Sequence, residues 1–115
     1  MRYLSLLSLL FWANFALGQN WVQQEADYLR EEEYMQKIYL LSDKDDSYAS
    51  IDCQSFIHEV KFFSENEVEK VNYLISDYEC QELYSDLLYR MKAGKPTCLL
   101  LNLDTEELMV RNVCQ

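Results

Sequence analysis

Residues 21–41 read WVQQEADYLREEEYMQKIYLL, and the period of their apolar residues decides the fold class. Trp21, Val22, Tyr28, Leu29, Met35, Ile38 and Tyr39 fall near helical spacing, with Glu25, Glu31, Glu32 and Lys37 off that stripe. No Gly or Pro interrupts the run. The pattern predicts one long amphipathic helix, ended by the polar cluster SDKDDSYAS (42–50), whose Ser and Asp side chains compete for backbone hydrogen bonds.

The same reasoning extends toward the C-terminus. In IDCQSFIHEVKFF (51–63), Cys53, Phe56, Ile57, Val60 and Phe63 mark one apolar face of a second helix. Ser64 with Glu67, and Ser76 with Glu79, have capping-box spacing, so helices are expected to start or restart there. Val68, Val71 and Ile75 give the first of these an apolar edge, and Cys80, Leu83, Tyr84, Leu87, Leu88 and Met91 continue a clean stripe. Gly94 and Pro96 supply a stop, with Arg90 and Lys92 in the last turn where cations suit the helix dipole. Beyond residue 18 these are the only Gly and the only Pro, and that scarcity argues for helices over a turn-rich assembly of strands. The expected class is mainly α: a small disulfide-stapled helical domain of about three to four helices, with a short C-terminal extended or hairpin segment.

Compartment follows from the N-terminus. Arg2 supplies a positive start, residues 3–15 an apolar core, and Ala16-Leu17-Gly18 the small residues of a cleavage site, the pattern of a secretory signal peptide over 1–18. The apolar run is shorter than the ~20 residues that span a bilayer, so no membrane anchor is expected. Residues 19–115 are then a single secreted domain. Cleavage removes Arg2 and none of the twenty acidic residues, which takes the formal charge from −10 to −11. Such a surface repels phosphate backbones, which argues against nucleic acid as a partner and leaves room for an extracellular protein or receptor with a basic patch, although the charge also serves simply to keep a secreted protein in solution.

Four cysteines, Cys53, Cys80, Cys98 and Cys114, in a small secreted chain read as two disulfides. Wide spacing and a single histidine, His58, speak against zinc. Cys53 and Cys80 fall on buried faces of neighbouring expected helices, which favours Cys53–Cys80 with Cys98–Cys114, although three pairings remain open. Each bridge contributes on the order of 3 kcal/mol. In TCLLLNLDTEELMVRNVC (97–114), residues 98–102 are expected to be extended and 105–112 helical or irregular. A hairpin, the other reading, sets Leu103 opposite Leu108. Either way the bridge ties a C-terminal flap onto the core.

The search for chemistry returns exclusions, and no catalytic, metal or cofactor residue is assigned. His58 has Ser55, Glu59 and Lys61 around it and no free thiol nucleophile beside it. Glu31, Glu32 and Glu33 read as a solvated face. DKDDSYASIDCQ (43–54) has the Asp43, Asp45 and Ser47 of a calcium loop but Tyr48 where Gly is needed and Gln54 where a bidentate Glu is needed. Tyrosine is the informative excess. Tyr28 and Tyr39, Tyr73 and Tyr84, and Tyr78 and Tyr89 are each eleven residues apart, three turns of a helix, and so share faces. Tyr73, Tyr78, Tyr84 and Tyr89 are therefore the candidate binding residues, for a protein partner or for a small apolar ligand.

VEKVNYLISDYEC (68–80), followed by the last cysteine pair, Cys98 and Cys114, resembles secreted cystatins, whose V-N-Y strand and final disulfide-closed hairpin inhibit papain-like proteases. The likeness covers about a third of the chain. The family's Q-x-V-x-G wedge falls at 66–70 and reads NEVEK, without Gln or Gly, and no Pro-Trp pair follows. The resemblance implies at most a degenerate inhibitor. The leading expectation is a secreted, non-enzymatic protein that binds a partner in an extracellular fluid such as saliva, seminal fluid or venom. A carrier of a small apolar ligand is the alternative, and a cystatin-like inhibitor the remote one.

Overall fold

The computed structural model describes residues 21–43, 47–54, 56–64 and 70–115. It is mainly β, not the bundle of about three to four helices that the sequence pattern predicts. In chain order the elements are β1 (Trp21–Ala26), β2 (Tyr28–Glu32), a single 3-10 turn (Glu33–Met35), β3 (Lys37–Leu41), β4 (Ser47–Cys53), β5 (His58–Ser64), β6 (Lys70–Leu74), α1 (Asp77–Ala93), β7 (Thr97–Asn102) and β8 (Glu107–Arg111). The expected first helix is three strands, and the expected second helix is the end of β4 and most of β5. The Ser64–Glu67 box and the signal-peptide segment lie partly or wholly outside the described residues.

β2 to β6 form an antiparallel meander, and β1, β7 and β8 form a second antiparallel sheet in that order. β1 runs into β2 through Asp27, so one stretch of chain serves both sheets at a corner. The corner is pinned by Asp27 N–H donating to the Leu41 carbonyl at 2.8 Å and by the Asp27 carboxylate accepting from Asp43 N–H at 2.6 Å.

Register explains the core. Across the five strands, Leu29, Leu40, Ala49, Phe62 and Val71 form one row and Glu31, Ile38, Ile51, Val60 and Tyr73 the next, all on one face because alternate residues of a strand point the same way. On the three-stranded sheet, Val22, Leu101 and Leu108 share a row, as do Gln24, Leu99 and Val110. Leu99 and Leu101 join Ile38, Leu40, Ile51, Val60, Phe62, Leu83 and Leu87 in one continuous core.

Helix α1 survives from the sequence reading because local signals agree with its packing. Ser76 caps it, its hydroxyl accepting from Glu79 N–H at 3.1 Å, and Gly94 ends it in the left-handed region at φ 66°. Cys80, Leu83 and Leu87 are its buried residues. Cys53–Cys80 fastens it to β4, and Cys98–Cys114 closes on β7, the pairing favoured above.

The C-terminal segment is not a flap. β7 is the middle strand of its sheet, with Cys98, Leu99, Leu100 and Leu101 at most 1 % exposed. Residues 105–112, expected to be helical or irregular, contribute the turn and β8. Leu108 pairs with Leu101, not Leu103. The bridge folds the last residues back over the sheet face that carries Cys98 and Leu100. There the Gln115 N–H donates to Gln23 Oε1 at 3.0 Å, and Gln23 Nε2 donates to the Gln115 carbonyl at 3.0 Å.

Candidate binding surface at one end of the sheet

A meander brings alternate connections to the same end. The β2–β3, β4–β5 and β6–α1 connections meet at the end marked by Cys53 and His58, which are register partners. Large apolar side chains stand in water on or beside each: Tyr34 is 86 % exposed, Phe56 98 %, Ile57 55 %, and Leu74 and Tyr78, which flank the β6–α1 connection, 71 % and 73 %. Tyr34 and Phe56 line one groove together with Met35, His58, Asp77 and Gln81.

Backbone bonds hold these connections in place. Gln36 adopts φ 51°, and its carbonyl accepts from Cys53 N–H at 2.9 Å, tying the 3-10 turn to the end of β4. The His58 carbonyl accepts from Ile75 N–H at 3.0 Å, and Asp52 Oδ1 accepts from Gln54 N–H at 3.1 Å. His58 Nε2 lies 3.2 Å from Asp77 Oδ1, and both residues line the groove. Cys53, bonded to Cys80, also lines the groove, so the disulfide braces its frame.

The four tyrosines singled out from spacing do not form one surface. Tyr73 is in β6, half-buried, its hydroxyl donating to the Glu106 carbonyl at 3.0 Å. Tyr84 is half-buried on α1, its hydroxyl donating to Glu31 Oε2 at 2.7 Å. Burial first, then the Glu31 hydrogen bond and the charges of Glu31 and Glu33, hold the Tyr84 hydroxyl well above its ordinary value. Tyr78 and Tyr89 alone are exposed, both on α1. Tyr78 belongs to the loop end, where bonding to Glu82 raises its hydroxyl. Tyr34, which spacing did not single out, joins it there, as do Phe56 and Ile57, which helical spacing predicts on an apolar face and which stand exposed instead. Tyr28 and Tyr39 do share a face, through strand register and not three helical turns. On that outer face Tyr39, Tyr48 and Phe63 form a ladder with ring centroids 6.1 and 5.1 Å apart, and the Arg30 guanidinium lies 4.6 Å over Tyr39.

Among the described residues, no group of three or more His, Cys, Asp or Glu is placed to hold a metal ion. The calcium-loop likeness at 43–54 falls partly outside the described residues, and its second half is β4, a strand. No helix among the described residues is long and apolar enough to cross a membrane. No family model, curated protein or solved structure matches this chain.

Proposed function

We propose that this is a secreted, non-enzymatic protein that binds a partner protein, and that the partner seats on the loop end built from Tyr34, Phe56, Ile57, Leu74 and Tyr78. The carrying observation is that five large apolar side chains, each more than half exposed, occur on or beside three connections at one end. Single exposed apolar residues are ordinary; a group of them on a braced frame is the form an interface takes before its partner arrives. Two disulfides in so small a chain support an extracellular setting.

A carrier reading is less well supported. The space between the sheets and α1 is occupied by Ile38, Leu40, Ile51, Val60, Leu87, Leu99 and Leu101, none more than 1 % exposed. The cystatin-like reading rests on residues 68–80 and the last cysteine pair, and the wedge positions at 66–70 that would inhibit lack their Gln and Gly.

The test compares the wild type with a Tyr34→Ser, Phe56→Ser double variant. Both side chains stand in water, so folding stability should stay within about 0.5 kcal/mol. Immobilised wild type should retain a defined protein from the extracellular fluid of its source, and the variant should lose it by roughly tenfold or more in affinity. Capture that is unchanged in the variant would sink this assignment of the surface.

A further inference from the structure

A second surface lies between α1 and β8. β8 is an edge strand: β7 pairs with one side of it, and among the described residues no strand pairs with the other. At one end of β8 the preceding turn is tied to β6, the Tyr73 hydroxyl donating to the Glu106 carbonyl at 3.0 Å; at the other the strand is tied to α1, where the Arg90 guanidinium donates to the Arg111 carbonyl at 3.4 Å and to Asn112 Oδ1 at 3.0 Å. Between strand and helix lies an open groove. Leu83, Leu108 and Val110 form its floor, and Glu79, Glu82 and Tyr89 stand along the helical wall.

A strand edge offers a row of backbone donors and acceptors to any extended chain laid beside it. Here the row is flanked by the apolar side chains of Leu108 and Val110, and Glu79 and Glu82 line the groove from the helix. We propose that this groove takes an extended basic peptide, which adds to β8 as a fourth strand and sets its Lys or Arg side chains against Glu79 and Glu82. Charge picks the occupant. The helical residues that line the groove include no Lys or Arg; of their three carboxylates Asp86 is paired with Arg90 at 3.2 Å, which leaves Glu79 and Glu82 for the peptide. An acidic segment would meet like charge, and a second copy of this chain, with twice as many acidic as basic residues, would bring more of it. The loop end takes in the first turn of α1, so the two surfaces adjoin where Tyr78 bonds to Glu82, but the strand edge and the apolar residues of this groove belong to β8 and have no part in the loop end.

The probe is a synthetic peptide of about eight residues alternating Lys and Val, long enough to span a five-residue edge strand. Its counterpart alternates Glu and Val. The Lys peptide should bind one to one, and amide hydrogen exchange within residues 107–111 should slow on binding. The Glu peptide should leave exchange unchanged. In a Glu79→Gln, Glu82→Lys variant, affinity for the Lys peptide should fall by roughly tenfold, with exchange in β3 and β4 showing the fold intact. Binding of the Lys peptide without added protection in 107–111 would show simple charge attraction elsewhere and overturn the proposal, as would no binding at all.

Discussion

Glu31 sits on the inward row of β2, where its neighbour across the sheet is the fully buried Ile38, and the Tyr84 hydroxyl is what makes that position tolerable for a carboxylate. Tyr84→Phe should therefore cost about 1 kcal/mol, the usual worth of a hydrogen bond to a charged group discounted for partial exposure, measurable as a lower urea midpoint. The pH dependence has a definite sign. A hydroxyl held up in the folded state keeps its proton where the unfolded chain has lost it, so its contribution is complete below about pH 10 and declines as pH rises beyond. Wild type should lose stability between about pH 10 and 11 more steeply than Tyr84→Phe; equal slopes would remove Tyr84 from the account. Two other residues carry local strain. Gln36 at φ 51° and Glu106 at φ 61° occupy the left-handed region that side chains other than Gly enter at a cost. Glu106→Gly should stabilise the protein by roughly 0.5 kcal/mol, since the carbonyl that accepts from Tyr73 is retained. A lower melting temperature for that variant would contradict the reading.

Those same residues explain which elements were legible. α1 was readable because Ser76, the Cys80-Leu83-Leu87 stripe and Gly94 all point one way. The strands were not, for two reasons. Turns at Gln36 and Glu106 are built without Gly or Pro, so the scarcity of those residues, read as evidence for helices, carried no such meaning. Alternation was also hidden. Gln24 faces inward at 6 % exposure, its side chain donating to the Glu25 and Ser47 carbonyls, while Tyr39, Leu41, Tyr48 and Phe63 place apolar groups on the outer face. A strand apolar on both faces has no period of two to find. The candidate site was legible only at Tyr78, because the loop end is assembled by register across 44 residues from Tyr34, beyond any local pattern. Position in the sheet also changes what the second bridge is expected to do. Replacing Cys98 and Cys114 by Ser removes a loop constraint across 16 residues, worth about 3 kcal/mol. β7 should stay protected from hydrogen exchange, held by β1 and β8 on either side, while residues 112–115 loosen. Loss of protection in β7 before the rest of the core would mean that the tail, not the sheet, holds the strand.

At the scale of the whole molecule, charge separates the two proposed surfaces. Twenty acidic residues face ten basic ones, so like-charge repulsion among the carboxylates outweighs attraction over the molecule as a whole; Arg90–Asp86 is an ion pair among the described residues, and Lys37 lies near Glu32 and Asp52. Screening falls from a reach of about 10 Å at 0.1 M salt to about 3 Å at 1 M, which weakens that repulsion. Added sodium chloride should accordingly raise the melting temperature, and a flat or falling curve would mean that paired charges dominate. The same titration reads the surfaces apart. Binding at the loop end, carried by Tyr34, Phe56 and Ile57, removes apolar area from water and should hold or strengthen as salt rises. Binding of a Lys-rich strand beside Glu79 and Glu82 should weaken steadily over the same range. If a natural partner is captured through the loop end yet dissociates as salt rises, its contact extends beyond the apolar residues to charged groups, and the acidic wall of α1, which starts beside Tyr78, is the nearest such surface.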